Sequence, residues 1–116
     1  MEMGSNAENK ITYEKGKAMY VRVTIDPVQP GKMDAAIKIE RDSILPAAKT
    51  EKGFKGLYFL TNRQTGKGMT ISMWDTEADM KAAEKSGYYR EQIAKLLPLV
   101  SGPTIKEHYE VSVQEI

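Results

Sequence analysis

The chain contains no cysteine. That excludes disulfides, thiolate nucleophiles and Cys-ligated zinc or iron–sulfur centres, and it fits a reducing compartment, so a cytoplasmic location is expected. Histidine occurs once, at His108. A lone imidazole without a carboxylate cluster is a poor basis for a metal site, and no metal is expected. Excess charge of either sign is also missing, with 17 Lys and Arg against 16 Asp and Glu and a formal charge of +1. A nucleic-acid partner is therefore not expected, since such binders gather a basic excess on one face. The densest apolar stretch, Leu96-Leu97-Pro98-Leu99-Val100, is far too short to span a bilayer, which argues for a soluble protein with no membrane partner. The Gly-Lys pairs at Gly16, Gly31 and Gly66 lack the spacing of a phosphate-binding loop. With no dinucleotide or metal motif, no cofactor is expected.

What is present suits one small domain. The 116 residues are 41% hydrophobic and 28% charged, ordinary values for a single globular core. Residues 1–17 are polar and aperiodic and read as a flexible leader, with the domain over 18–116. Alternation of Met19, Val21, Val23 and Ile25 with Tyr20, Arg22 and Thr24 predicts a first strand over 18–25. Met33, Ala36, Ile37 and Ile44 recur at helical spacing over 32–45, and Pro46 is expected to stop or kink that helix. Strands over 54–61 and 68–74 flank the polar turn at Thr65-Gly66 and predict a hairpin. Thr76 with Asp79 three residues on resembles a capping box for a second helix, which Gly87 breaks. A further helical segment places Tyr89, Ile93, Leu96, Leu97 and Val100 on one face, and a last strand is expected over 104–113.

The order is βαββαβ, and right-handed crossovers turn it into an α+β, ferredoxin-like fold with a four-stranded antiparallel sheet and both helices on one face. Tyr20, Tyr58, Met69, Ile71 and Met73 cannot all point at the helices, and an exposed apolar face costs roughly 25 cal/mol per Å². A homodimer through the sheet face, giving a dimeric α/β barrel, removes that cost. The alternative is a monomer whose leader or last strand covers the face. Strands one and three are read as parallel, which brings Ile25-Asp26, Trp74-Asp75, Phe54-Lys55 and Ile105-Lys106 to one sheet edge. A small-molecule pocket is expected there, beneath the helix carrying Tyr88 and Tyr89.

Five segments carry a family resemblance: Gly53-Phe54-Lys55-Gly56-Leu57-Tyr58, Gln64-Thr65-Gly66-Lys67-Gly68, the strand ending in Met73-Trp74, Asp75-Thr76-Glu77-Ala78, and Ser86-Gly87-Tyr88-Tyr89-Arg90-Glu91. Together they resemble antibiotic biosynthesis monooxygenase (ABM) domains over about 18–113. The resemblance implies a cofactor-independent monooxygenase acting on a small aromatic, quinol- or anthrone-like substrate; the alternative is a non-catalytic ligand-binding or stress-associated dimer. The haem-degrading branch carries a His about ten residues after its Trp, whereas the chain here reads Lys81-Ala82-Ala83-Glu84-Lys85, which argues against that route. The polyketide-type oxygenases carry an Asn where Thr70 stands and a Tyr near the position of Met80.

On these grounds Trp74, Tyr89, Arg90 and His108 are the candidate catalytic residues. Phe54, Met80, Tyr88 and Ile93 are the candidate substrate-binding residues. Trp74 could offer an indole N–H to an oxyanion or simply fill the core. Tyr88, Tyr89 and Arg90 could hold an enolate, or form a helix with Tyr89 packed inward and Arg90 in water. His108 has the unperturbed pKa of a general base, but Lys106 and Glu110 two residues away suggest a wet strand face. The Lys and Glu residues at 81, 84, 85 and 91 read as solvated helix surface.

Overall fold

A computed structural model describes residues 19–115. The proposed leader and the start of the first strand at Ala18 lie outside them. Strand β1 (Tyr20–Pro27) leads to helix α1 (Met33–Ile39), a π turn (Glu40–Ile44) and a short α2 (Leu45–Ala48). The hairpin β2 (Phe54–Asn62) and β3 (Lys67–Trp74) follows, then α3 (Glu77–Lys85), α4 (Tyr88–Leu96), a 3₁₀ turn (Leu97–Leu99) and β4 (Ile105–Glu110). The sheet order is β2-β3-β1-β4, with every neighbouring pair antiparallel. This is the expected α+β ferredoxin-like fold. Among the described residues no helix is long and apolar enough to cross a membrane.

One topological expectation is overturned. β1 and β3 run antiparallel, with Tyr20 opposite Trp74 and Asp26 opposite Gly68. The right-handed crossover makes β2 parallel to β1, and the hairpin then reverses β3. Trp74 and Phe54 therefore share one sheet edge with Tyr20, while Ile105 lies opposite Ile25 near the other.

The first helix also runs past Pro46, to Ala48. Proline has no N–H and presses on the carbonyl one turn back, which a regular α-helix cannot absorb. Here the backbone widens just before it: the Leu45 N–H bonds to the Glu40 carbonyl five residues earlier. Thr76 caps α3 as expected, its Oγ1 accepting from the Asp79 N–H at 3.0 Å. Gly87 (φ +93°) makes the sharp turn into α4 that a side chain would strain. Leu96, not Leu97, is the buried leucine at the end of α4, because the helix tightens into the 3₁₀ turn and swings Leu97 outward.

The two sheet faces differ in an unusual way. Along β1 the buried residues beneath the helices are Arg22, Thr24 and Asp26, whereas Val21, Val23 and Ile25 point to the other side. Cross-strand register adds Met69, Ile71 and Met73 to that apolar side, together with Tyr58 and Leu60 of β2 and Ile105 and Tyr109 of β4. Tyr58 is 60% exposed and Tyr109 50%, so among the described residues nothing covers this face. Tyr20 departs from the expectation: it lies on the helix side, packed with Phe54 and Tyr88 around Trp74, Met80 and Ala83. A second cluster, Val28, Met33, Ala36, Ile44 and Leu96, fills the opposite end of the helix–sheet interface.

Candidate functional site

Polar residues meet where the two clusters adjoin. A cavity of about 30 Å³ lies there between sheet and helices, lined by Arg22 and Thr24 of β1, Leu57 of β2, Thr70 and Ser72 of β3, Glu40 and Ile44 of the π turn, and Tyr88, Tyr89, Gln92 and Ile93 of α4. It has room for about one or two water-sized molecules. The strand pleat aims Arg22, Thr24, Thr70 and Ser72 into this layer, and the break at Gly87 turns Tyr88 and Tyr89 down over it.

Arg22 is the cation of the site. Its Nη1 donates to Glu84 Oε2 at 3.1 Å and its Nη2 to the Tyr88 hydroxyl at 3.3 Å. The guanidinium sits 4.5 Å from the Tyr89 ring centre and 5.3 Å from that of Trp74. A guanidinium is weakly hydrated and stacks on aromatic faces, which allows its burial here. Glu84, read from sequence as solvated surface, is instead a half-buried hub. It also accepts from Lys106 at 3.1 Å and lies 2.7 Å from His108 Nε2. Burial alone would raise its carboxyl, but the hydrogen bonds from Arg22, Lys106 and His108 outweigh this and hold it below the usual carboxylate range. Burial also raises the Tyr88 phenol, with Arg22 pulling the other way.

Glu40 is the second charged group of the cavity, 2% exposed. Its Oε2 accepts from Thr70 Oγ1 at 2.8 Å, while its Oε1 has no hydrogen-bond partner. Burial pushes the carboxyl up to about 7, against the Thr70 hydrogen bond and with help from the nearby Asp26 charge. A buried polar atom without a partner is costly, and such atoms concentrate at working sites.

Three of the eight sequence candidates, Tyr88, Tyr89 and Ile93, line the cavity. Trp74 stands beside it, fully buried, with its indole N–H donated to Ser72 Oγ at 2.9 Å rather than held at a pocket mouth. Phe54 and Met80 pack around Trp74, Phe54 edge-on at 5.5 Å between ring centres. His108 lies on the exposed strand β4, as its neighbours Lys106 and Glu110 suggested, and its Nε2 reaches Glu84 Oε2 at 2.7 Å. Arg90 rims a separate outer groove with Lys106 and Leu97. Arg22, Glu40, Thr70, Ser72, Glu84 and Gln92 were not among the residues the sequence singled out for the site. A signal existed for Glu40, which falls at helical spacing between Ala36 and Ile44 on the apolar stripe. Among the described residues no group of three or more His, Cys, Asp or Glu is arranged to hold a metal.

The antibiotic biosynthesis monooxygenase family model matches residues 18–95, most of the domain and all but Leu97, Lys106, His108 and Glu110 of the residues just described. The chain belongs to the antibiotic biosynthesis monooxygenase family. Among curated proteins, this family member is 28% identical over 100 residues to the uncharacterized protein Rv2558 of Mycobacterium tuberculosis, a match over 85% of this chain and 41% of the relative. It therefore spans about two fifths of the length of the curated relatives it matches. Among solved structures, a Nitrosomonas europaea protein named "Putative antibiotic biosynthesis monooxygenase" superposes with a TM-score of 0.69 at 17% identity, covering 85% of this chain and 94% of the other. A conserved Methanosarcina mazei protein gives a TM-score of 0.69 at 15% identity over 81% and 93%. These likenesses show that the antibiotic biosynthesis monooxygenase fold is shared.

Proposed function

We propose that this domain is a cofactor-independent monooxygenase acting on a small aromatic substrate with an acidic C–H or O–H, of phenol, quinol or anthrone type. The observation that carries the reading is the unpartnered Glu40 Oε1, buried on the wall of a cavity that Arg22 also lines. A carboxyl poised near neutrality is matched to taking a proton at working pH. A buried cation on the same cavity stabilises the oxyanion that deprotonation leaves on the substrate. For an anthrone, Glu40 takes one C–H proton, and the carbanion passes an electron to dioxygen. The radical pair then joins as a peroxide. Loss of water from it turns CH₂ into C=O, so one oxygen atom stays on carbon and the other leaves as water with both hydrogens. The substrate supplies every electron. Family membership supports this class of chemistry.

In this reading Tyr88 and Tyr89 wall the inner cavity in which dioxygen meets the substrate, and Trp74 backs the Arg22 guanidinium. Phe54 and Met80 fix Trp74, Ile93 closes the apolar side, and His108 acts through Glu84. Arg90 adds positive charge on the helix side from its outer groove, without touching the substrate. The apolar sheet face closes on a second copy of the chain, completing the barrel, and a cytoplasmic location belongs to the same reading.

Oxygen uptake with 1,8-dihydroxyanthrone and a panel of quinols tests the proposal. Wild type should consume one dioxygen per anthrone, and Glu40→Gln should lose at least about a hundredfold in rate. No uptake across the panel would overturn it. Saturable binding without uptake would leave the alternative, a ligand-binding dimer.

A further inference from the structure

The inner cavity is too small for the ring system of an aromatic substrate, though it suits dioxygen or water. Outside it, between α1 with its π turn and strand β2, runs a larger groove of about 310 Å³, walled by Ile37, Leu45, Leu57 and Phe59. Glu40 and Leu57 line both spaces. The π turn is what gives Glu40 two fronts. Its five-residue hydrogen bond brings Leu45 onto the groove side with Glu40, while Ile44 stays on the cavity side.

We infer that this groove is the binding site for the body of the ligand, an uncharged hydroxylated aromatic of about two or three fused rings whose hydroxyl donates to Glu40. The lining chooses the chemistry. Four apolar side chains suit a flat ring system, and the carboxyl that lines both this groove and the inner cavity, Glu40, has one buried oxygen without a partner. The cation at the rim, Arg41, is engaged by Asp42 at 2.9 Å, so the groove offers no free counter-charge to an anionic ligand. The groove on the α4 side differs: Arg90 and Lys106 rim it, and Glu84 within it is already taken. The inference rests on the oxygenase reading for its chemistry, but binding can be measured without turnover.

The experiment is an anaerobic NMR titration of the full chain with 1-naphthol and, separately, 1-naphthoate. Amide shifts should cluster at Leu45, Leu57 and Phe59, and the naphthoate should bind at least about tenfold more weakly. Ile37→Trp and Thr61→Trp, which fill the groove from two sides, should each weaken naphthol binding at least about tenfold, while Ala94→Trp in the α4-side groove leaves it unchanged. Having two filling variants guards against one of them failing to fold. Shifts centred on Tyr89, Arg90 and Lys106, or loss of binding in Ala94→Trp alone, would overturn the assignment, as would no saturable binding at all. Naphthol binding in the groove without anthrone-dependent oxygen uptake would keep the groove and remove the oxygenase. Uptake that survives both filling variants would do the reverse.

Discussion

Arg22 and Glu84 form an ion pair at 3.1 Å that ties the middle of β1 to helix α3, with side chains 5% and 12% exposed. The pair does two jobs. It fixes the guanidinium between the Trp74 and Tyr89 rings, and through Lys106 and His108 it fastens the edge strand β4 to the helix layer. The site and the sheet edge are thus held by the same carboxylate.

Glu84→Ala should leave a buried guanidinium uncompensated and cost about 3–5 kcal/mol of stability, measured by urea unfolding. The double variant Arg22→Met/Glu84→Leu should recover most of that loss, because two apolar side chains of similar volume remove the desolvation cost along with the pair. A loss below about 1 kcal/mol for Glu84→Ala would mean the pair is effectively solvated.

Glu40 acts on stability in the opposite sense from a salt-bridged carboxylate. Its pKa rises from 4.5 to about 7 on folding, so between those values the folded chain holds a proton that the unfolded chain releases. Its contribution is fully present below pH 4.5 and is lost as pH rises through about 7. The shift corresponds to an upper figure of about 3 kcal/mol. Glu40→Gln keeps an acceptor for Thr70 without the charge. It should therefore be more stable than wild type at pH 8, with the difference vanishing toward pH 4.5. A pH-independent difference would show that the carboxyl does not titrate in this window.

The apolar sheet face predicts an assembly. Light scattering at micromolar concentration should give twice the chain mass for wild type. Ile71→Glu, which places a charge between Val23 and Tyr58, should give the single-chain mass with the fold intact by circular dichroism. A monodisperse single chain for wild type would remove the barrel.

The sequence was most informative where local rules decide: the alternation in β1, the Thr65-Gly66 hairpin, the Thr76 cap and the Gly87 break all have short-range physical causes. It was least informative where register decides. Arg22, Thr24 and Asp26 look like the wet side of a strand, because Val21, Val23 and Ile25 look like the core side; in the structure the polar set is the one beneath the helices. Glu84 likewise reads as helix surface until β4 brings Lys106 and His108 against it. The π turn at Glu40 depends on how Pro46 is absorbed, which periodicity does not encode. Trp74 and the tyrosines were visible as large aromatics, but their partner Arg22 was hidden in an ordinary alternation.

Glu40 is the group on which the proposed chemistry depends, and a ¹³C-detected NMR titration of its side-chain carboxyl, assigned with Glu40→Gln, tests that role most directly. The expected midpoint is about 7, shifting when 1-naphthol is bound. A midpoint near the ordinary 4.5, unmoved by ligand, would mean that water reaches the carboxyl and that this cavity holds no base.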